Sequence, residues 1–445
     1  MKRYDVVVVG AGTGGCMTAK TAASAGLKVC LVDRKSKETI GQKVCGDALG
    51  KHHFDNLGLT YPTGREKEGD ITGINIFSPD LQTEFRIAGE GLTGFMINRY
   101  LFGQRLLKYA LDAGAELVDS THVLEPIVED GFVKGVEARS LKDETKTKLT
   151  GAVTVDASGV SSAVRSKLPL EIGLENEVQS EDTEVCYREI RELKTKFEEP
   201  DYCQIYLDLE KAPGGYYWIF PEGETRVNVG LGVAAAKGHP NPKDLLYNHV
   251  LSMPMFEGST VVHGGGGIVP TRRPLYSLVG NGVVLVGDAG CQVNPIHGGG
   301  IGPSMMGGKI AAEVITEALG KGLPTREALW RVNVRFMNGY GGKQAGLDVF
   351  RLFLQRLSND DLNYGMRYRL IKEDDVLRTS LGEEIRLNVT DATRRAFSGL
   401  GRLTFLKALV SMAKTVKKAK ALYSEYPSSP QGLQEWKTQV EKLIT

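Results

Sequence analysis

The chain begins with an alternation of apolar runs and a small-residue segment. Residues 4–9 form a short apolar run that ends in glycines, residues 13–25 are rich in small residues, and residues 28–32 are apolar again. Short apolar runs bounded by glycine are typical of buried strands, and the longer segment between them is compatible with a helix. The pattern predicts a strand, a helix and a second strand in one β-α-β unit.

A second set of elements repeats this order further along the chain. Residues 98–113 carry apolar side chains with helical spacing, and residues 116–118 are a candidate strand. Much later, residues 282–286 read as another short strand, and a glycine-dense turn then opens a helix at 302–319. We therefore expect the first structural unit to resume after a long insertion.

The middle of the chain has a different character. Residues 201–207, 216–220 and 226–233 are strand-like and are separated by proline and glycine turns, which predicts an antiparallel sheet. From residue 326 onward the periodicity is mostly helical, with stops at Pro324 and Pro427. The expected fold class is α/β (α+β overall): a Rossmann-like domain, an inserted antiparallel-sheet domain and a C-terminal helical region.

Composition narrows the class of protein. Of the 445 residues, 41% are hydrophobic and 24% are charged, which is ordinary for a globular protein, and the net charge of +1 provides no field to attract nucleic acid. Six cysteines without C-x-x-C spacing favour neither a metal site nor disulfides. The first apolar run is too short for a signal peptide, and no run is long enough to span a membrane, so we expect a cytoplasmic protein.

The glycine turn after the first strand carries the first chemical signal. Gly10, Gly12 and Gly15 supply the G-x-G-x-x-G spacing between a predicted strand and a predicted helix, and Gly14 lies within it. Such a turn lets the backbone approach a pyrophosphate, which the N–H groups of the helix N-terminus then bind. The turn predicts a dinucleotide site, and FAD and NAD both fit it.

Acidic and basic residues at the ends of other elements extend this site. Asp33 ends the second strand, where a carboxylate accepts hydrogen bonds from an adenosine ribose, and Arg34 follows it. The segment around Asp288 resembles the Gly-Asp segment of the glutathione-reductase-type flavoproteins, and Arg99 matches the arginine that such flavoproteins place near the cofactor. This resemblance favours FAD over NAD. We expect a discontinuous FAD-binding domain formed by residues 1–170 and 260–325. Residues 171–259, together with residues near 70–97, are expected to form the substrate domain, and residues 326–445 a helical domain.

Four segments together resemble one family. They are the Gly10 turn, Lys-Val-Cys-Gly-Asp at 43–47, Gly-Tyr-Tyr-Trp-Ile-Phe-Pro at 215–221, and the turn at 294–301. The chain resembles the geranylgeranyl reductases, particularly the archaeal enzymes that saturate the prenyl chains of ether lipids. The resemblance implies FAD contacts from Cys45, Gly46, Val123, Gly299, Gly300 and Ile301. It also implies that Cys45 lies beside the isoalloxazine ring, and the residues leave His297 either near the flavin as a proton donor or as a structural histidine.

Three aromatic residues alternate along one predicted strand. Tyr216, Trp218 and Phe220 project to the same face because side chains alternate along a strand. Such a row suits the wall of an apolar tunnel for a prenyl chain, although aromatic residues on strands also simply pack. The candidate catalytic residues are Cys45, Tyr216, Trp218, Phe220 and His297.

The expected function is FAD-dependent reduction of C=C bonds in geranylgeranyl chains of diphosphates or glycerophospholipids. Two other classes stay open: an FAD-dependent monooxygenase or halogenase, and a noncatalytic flavin-containing prenyl-lipid carrier. No second nucleotide fingerprint is found, because the glycine run at 263–267 leads to a proline rather than a helix. The electron donor is expected to be external: a reduced ferredoxin-like carrier, F420 or NAD(P)H.

A basic amphipathic segment near the C-terminus suggests contact with a membrane surface. An apolar stripe there is flanked by lysines. Such a helix either rests on the inner face of an anionic membrane or packs on the body with its lysines in solvent. The stripe consists of Leu403, Leu406, Val410, Ala413 and Val416, and the lysines are Lys407, Lys414, Lys417, Lys418 and Lys420.

Overall fold

The computed structural model describes residues 3–89, 91–236, 238–373, 375 and 403–444. The strands are β1 (Arg3–Val9), β2 (Val29–Val32), β3 (Ala48–Gly50), β4 (Lys67–Ile71), β5 (Gly73–Phe77), β6 (Glu84–Ala88), β7 (Gly94–Ile97), β8 (Glu116–Val118), β9 (Thr121–Glu129), β10 (Phe132–Ser140), β11 (Lys146–Asp156), β12 (Glu184–Glu192), β13 (Tyr202–Tyr206), β14 (Tyr216–Pro221), β15 (Arg226–Ala234), β16 (Thr260–Val269), β17 (Val279–Gly280) and β18 (Val283–Leu285). The α-helices are α1 (Thr13–Ser24), α2 (Lys51–Leu57), α3 (Arg99–Asp112), α4 (Pro242–Leu245), α5 (Ile301–Leu319), α6 (Arg326–Leu329), α7 (Arg331–Phe336), α8 (Gly342–Leu354), α9 (Asn359–Arg367), α10 (Leu403–Ser424) and α11 (Leu433–Ile444).

A mostly parallel sheet forms around the N-terminal strand. Its order is β17-β18-β11-β1-β2-β8, and the antiparallel strands β9 and β10 extend from β11. β1 pairs in parallel with β2 on one side and with β11 on the other, and β11 pairs in parallel with β18. Helices α1 and α5 pack against each other beside this sheet. The predicted strands and helices of the cofactor-binding unit are confirmed, including its return near residue 283.

The second large sheet has the order β16-β12-β15-β14-β13-β5-β6 and is antiparallel apart from the parallel β13–β5 pair. The predicted antiparallel sheet is therefore confirmed as part of the fold class. Of the segment near residues 70–97, β5 and β6 join this sheet, whereas β7 pairs with β3 and β4 in a separate three-stranded sheet. One predicted boundary is wrong: β16 pairs with β12 in this sheet, whereas the sequence pattern places residues from 260 onward in the cofactor-binding part. The four glycines of β16 conceal the strand because they carry no side chains to show a two-residue period.

The C-terminal helices share the core of the parallel sheet. Buried side chains from β1 through α5 to α11 belong to one contiguous hydrophobic cluster. Helix α10 packs along α8, so the apolar stripe of α10 faces protein. The buried face is Leu409, Met412, Val416, Ala419 and Tyr423. Of the stripe expected from the sequence, Val416 lies on this face, whereas Leu406, Val410 and Ala413 are only partly buried, so the predicted register is wrong for these residues; the side chain of Leu403 lies outside the described ones.

The described residues contain no helix with the length and hydrophobicity that crossing a bilayer requires.

Candidate active site

The glycine turn after β1 has the geometry of a dinucleotide cradle. Gly10 adopts φ +101°, which L side chains rarely adopt, and a Cβ at Gly15 would lie 1.8 Å from the Gly10 carbonyl oxygen. A Cβ at Gly12, in contrast, would meet no atom within 4 Å. Gly12 therefore borders open space at the start of α1, where a phosphate group would lie.

Two helix N-termini meet at this space. Neither Gly12, which precedes α1, nor Gly300, which precedes α5, provides a side-chain cap, so the first N–H groups of both helices lack side-chain acceptors. The Thr13 and Ser304 hydroxyls are 2.8 Å apart and join the two helices. Gly14 permits the close packing beside them, because a Cβ at this position would lie only 2.7 Å from the Val286 side chain.

The residues expected at the adenosine end lie around the carboxyl end of β2. Asp33 accepts the N–H of Ala11 at 2.7 Å and of Lys35 at 2.7 Å, which fixes its carboxylate beside the glycine turn. Arg34 is exposed, and Val123 is buried on β9. The role of Asp33 as a ribose acceptor stays a prediction.

Arg99 provides a specific test of whether an anionic cofactor fits. It begins α3, is 8% exposed, and its Nε and Nη1 atoms are buried with no hydrogen-bond partner among the described residues. A buried guanidinium with free donors is costly unless an anion binds it. The positive charge of Arg99 acts to lower the pKa values of Cys16, Cys45 and Asp47. Arg99 therefore lies near both the glycine turn and the Cys45 segment.

The turns before α5 form the other side of the groove. Asp288 lies in a short 3₁₀ turn after β18, and its Oδ2 atom is 3.2 Å from Lys43 Nζ. A Cβ at Gly300 would lie 3.3 Å from Asp288 Oδ1, so the absence of a side chain there keeps this carboxylate accessible. Gly299 donates its N–H to His297, and Ile301 begins α5. These residues fit FAD, because two uncapped helix ends, a buried arginine without a hydrogen-bond partner among the described residues and two carboxylates offer the groups that an anionic dinucleotide requires.

A hydrogen-bonded network connects the Cys45 turn with the antiparallel sheet. Asn228 donates to the Cys45 carbonyl oxygen at 3.0 Å and to Asp47 Oδ2 at 3.0 Å, and it accepts the indole N–H of Trp218 at 3.0 Å. Arg188 also donates to the Cys45 carbonyl, at 2.9 Å, and its other end contacts His263 at 2.9 Å. The turn is thus fastened to the strand that carries the aromatic row.

The aromatic row is contiguous, as expected. The Tyr216 and Trp218 ring centroids are 5.9 Å apart, and those of Trp218 and Phe220 are 6.1 Å apart. Trp218 lies opposite Gly230 on β15, and a Cβ at Gly230 would lie 2.2 Å from the indole, so the glycine makes room for the ring. Phe220 lies against Gly46 of the Cys45 turn.

An apolar cavity adjoins Tyr216, the first residue of this row. It is bounded by the antiparallel sheet, the 295–297 turn and helices α8 to α10. Its aromatic and aliphatic lining includes Phe85, Leu207, Tyr216, Phe350, Phe353, Leu354, Leu362, Met366, Phe405 and Leu409. Of the aromatic row, Tyr216 lines this cavity, whereas Trp218 bonds to Asn228 and Phe220 lies against Gly46 outside the lining.

His297 lies between the cavity and the glycine turn before α5. Its ring is accessible from the cavity, its Nδ1 accepts the Gly299 N–H at 3.1 Å, and Tyr216 donates to its carbonyl oxygen at 3.0 Å. Burial, followed by the charge of Lys343, lowers the pKa of His297 to about 4. The role of His297 as a proton donor stays a prediction.

Sequence reasoning missed Asp47, Arg188 and Asn228 as site residues. Asp47 directly follows Cys45 and Gly46, and Asn228 is a polar residue in an otherwise apolar buried strand. Such a buried polar residue is a usable signal because it must find partners. Two of its three partners, Cys45 and Asp47, lie more than 180 residues away along the chain, so the pattern alone does not identify them.

The fold and the site define an FAD-dependent oxidoreductase with a Rossmann-like cofactor domain and an antiparallel substrate sheet. Residues 182–269 match the family described as Geranylgeranyl reductase catalytic domain, and residues 5–57 match that described as Glucose inhibited division protein A. The chain is 43% identical over 444 residues to the digeranylgeranylglycerophospholipid reductase of Sulfolobus acidocaldarius, covering 100% of this chain and 98% of the relative. The corresponding protein of Methanothrix thermoacetophila is 35% identical over 396 residues, covering 87% and 97%. The chain belongs to the digeranylgeranylglycerophospholipid reductase family.

Solved structures share the fold. A geranylgeranyl bacteriochlorophyll reductase-like protein from Thermoplasma acidophilum superposes with a TM-score of 0.76 at 24% identity, covering 95% of this chain and 100% of that one. The myxobacterial chondrochloren halogenase has a TM-score of 0.66 at 19% identity, covering 95% and 97%. At these identities the likeness concerns the fold alone. The predicted family, fold class and FAD-dependent reductase class are confirmed by the relatives together.

Proposed function

We propose that this chain saturates C=C bonds in the geranylgeranyl chains of digeranylgeranylglycerophospholipid, with the prenyl chain in the apolar cavity. The observation that carries this proposal is the position of the cavity. Its lining is almost wholly apolar, which suits a chain that must leave water, and it includes residues 295–297 of the turn that leads to the expected FAD contacts at Gly299, Gly300 and Ile301. A polar head group would then remain toward the solvent.

FAD would be held by Arg99, Asp33, the Asp288 turn and the uncapped ends of α1 and α5. When bound in its reduced form, the cofactor supplies a hydride. An isolated alkene has no carbonyl to accept this charge, so a proton must be added to the neighbouring carbon and cationic character develops. Tyr216, the member of the aromatic row that lines the cavity, would stabilise that character through its ring face by about 1 kcal/mol.

A cavity-filling substitution tests the placement of the chain. Leu354 on α8 lines the cavity, so Leu354→Trp puts a bulky indole into it. Leu352 on the same helix packs against the main core and does not line the cavity, so Leu352→Trp is the control. We expect Leu354→Trp to bind FAD normally and to slow anaerobic reoxidation by added lipid at least about tenfold, the effect of losing about 1.4 kcal/mol of binding. Equal rates for the two variants would place the lipid elsewhere.

We also propose that electrons arrive from an external donor, either a reduced ferredoxin-like carrier, F420 or NAD(P)H. The glycines at 264–267 lie within strand β16 and not in a turn before a helix, so they lack the features of a second nucleotide cradle. Anaerobic mixing of the oxidised holoprotein with each donor, followed at the flavin absorbance, identifies the one that reduces it. Reduction by none of the three would contradict this proposal.

Contact with a membrane would be electrostatic. The apolar face of α10 packs on α8, and Lys407, Lys414, Lys417 and Lys418 are exposed. We propose that this lysine face meets anionic lipid headgroups, each lysine contributing about 1 kcal/mol near such a surface. Co-sedimentation with anionic vesicles, against neutral vesicles as the control, tests the contact.

A further inference from the structure

Glu184 is a buried acid that faces the apolar cavity. It begins β12, is 6% exposed, and is one of two carboxyl residues among the described ones that line the cavity. The other, Asp361, is bonded to Ser358 in the cap of α9. The Glu184 carboxyl, in contrast, has no hydrogen bond or ion pair with any described residue. A buried carboxyl group without a partner is costly as an anion, so this setting favours the neutral acid.

The pairing of β12 with β16 places Glu184 near the expected cofactor contacts. Glu184 lies opposite Val269 in this pair. The side chain of Val269 is 3.7 Å from the position that a Cβ would occupy at Gly298. Gly298 directly precedes the expected FAD contacts at 299–301, and the cavity lining includes residues 295–297 of the same turn. Glu184 therefore belongs both to the cavity and to the surroundings of this turn.

The two faces of β12 carry two buried glutamates with different surroundings. Glu184 and Arg188 share one face because side chains alternate along a strand, and Arg188 donates to the Cys45 carbonyl oxygen at 2.9 Å. Glu189 lies on the opposite face, where it forms an ion pair with Arg191, and it is not part of the cavity lining. Of the two glutamates, Glu184 is thus the one that a prenyl chain in the cavity would meet.

The charged and titratable groups around Glu184 come from four elements. They are Cys186 on β12, Tyr216 on β14, His297 in the turn before α5, and Arg351 on α8. The guanidinium of Arg351 is bonded to other groups, namely Asp182, Asp348, Gln355 and the Glu181 carbonyl. Burial raises the pKa of Glu184 to about 7, and the charge of Arg351 offsets this only in part. The carboxyl therefore holds a proton in a large fraction of molecules at neutral pH.

We propose that Glu184 is the acid that protonates the alkene during reduction. The proposal rests on the reductase function above, because it uses the cavity assigned there to the prenyl chain. A C–H bond forms at one alkene carbon as the O–H bond of Glu184 breaks, and the other carbon receives the hydride that reduced FAD supplies. The charge of Arg351 stabilises the carboxylate that results. Glu184 then takes a proton from water, so each saturated bond consumes one hydride and one proton.

The first test follows lipid-dependent reoxidation of the reduced holoprotein without oxygen at a series of pH values. In the unsubstituted protein the rate should fall as pH rises through about 7, because the acid form of Glu184 is then lost. Glu184→Gln keeps the size and polarity of the side chain but has no acidic proton. We expect its rate at saturating lipid and about pH 6 to be at least about 100-fold lower, without that pH dependence. The lipid concentration that gives half the maximal rate should not change.

Glu189→Gln is the matched control, because it removes a buried glutamate from the other face of the same strand. It should keep the rate and pH dependence of the unsubstituted protein. Glu184→Asp withdraws the acid by one methylene group, so it should be slower and keep the pH dependence. A rate for Glu184→Gln within about threefold of the unsubstituted protein would overturn the proposal. So would a pH dependence that persists in Glu184→Gln and disappears in His297→Gln, since the histidine would then supply the proton.

The second test is independent of turnover. Infrared difference spectra of the oxidised holoprotein between about pH 6 and about pH 8 report the carbonyl stretch of carboxyl groups that lose a proton in this range. We expect such a band in the unsubstituted protein and in Glu189→Gln, and its loss in Glu184→Gln. Identical spectra for all three proteins would show that Glu184 does not titrate there and would overturn the proposal. If the band behaves as expected but lipid fails to reoxidise even the unsubstituted protein, it is the proposed function that fails. Turnover that Glu184→Gln leaves intact instead removes the role of Glu184 alone.

Discussion

Replacing Asn228 with alanine tests whether one buried amide fastens the Cys45 turn to the aromatic strand. The change removes three hydrogen bonds of 3.0 Å each and leaves the Trp218 N–H without a partner. The Cys45 carbonyl and Asp47 keep Arg188, so the loss at those two groups is partial. An unsatisfied buried donor costs about 1–3 kcal/mol, and a carboxylate that loses one donor costs a similar amount. We therefore expect a loss of about 3–5 kcal/mol, a large share of the roughly 5–15 kcal/mol that stabilises a domain.

The measurement is urea unfolding of the FAD-loaded protein, combined with the rate of Cys45 alkylation. Asn75→Ala is the matched control: Asn75 is equally buried in the same sheet, on β5, but its amide donates to Glu199 rather than to the Cys45 turn. Both variants should unfold at lower urea, and only Asn228→Ala should alkylate faster at Cys45. Unfolding of Asn228→Ala within about 1 kcal/mol of the unsubstituted protein, with unchanged alkylation, would refute the reasoning.

Further tests concern the cradle, the acid near the site and the lysine face. Gly12→Ala should fold but purify without yellow colour, because its Cβ enters the open cradle. Gly15→Ala should fail to fold, because its Cβ would lie 1.8 Å from the Gly10 oxygen. Absorbance at the flavin band and circular dichroism distinguish the two outcomes. Burial raises the pKa of Glu222 to about 8, above its unfolded value near 4.5, so its stabilising contribution is complete at low pH and is lost as pH rises through about 8. Glu222→Gln should therefore match the unsubstituted protein at about pH 4.5 and be more stable at about pH 8 by about 1–4 kcal/mol in urea unfolding, and equal stability at both pH values would contradict this. Reversing three exposed lysines to glutamate, at Lys414, Lys417 and Lys418, should abolish co-sedimentation with anionic vesicles, and retained binding would move the contact elsewhere.

The sequence predicts well those elements in which the spacing of apolar side chains shows the type of secondary structure. The apolar run of β1 identifies a buried strand, and the alternation on β14 identifies a strand with its aromatic residues on one face; the structure confirms both strands. Strand β16 escapes prediction as part of the antiparallel sheet because four of its ten residues are glycine. The buried face of α10 is misplaced because alanines and valines surround the helix and only packing on α8 selects the buried ones.

The residues of the candidate site likewise fall into those that local sequence spacing predicts and those that depend on distant contacts. Gly10, Asp33 and Asp288 lie at the ends of predicted strands, where spacing along the chain already indicates a nucleotide. Asp47 depends on Arg188 and Asn228, which are 141 and 181 residues away in the chain. No local pattern encodes that contact, because it is made by a sheet that folds against the cofactor domain. The roles of the site residues therefore remain predictions that mutation must test.

The central claim is that the reduced flavin acts on a prenyl chain without oxygen. The most direct measurement is mass spectrometry of digeranylgeranylglycerophospholipid after anaerobic incubation with the chemically reduced holoprotein. The account predicts products heavier by two hydrogens for each saturated bond, formed as the flavin absorbance returns. Lipid of unchanged mass under nitrogen, with an oxygenated product only after air is admitted, would contradict it.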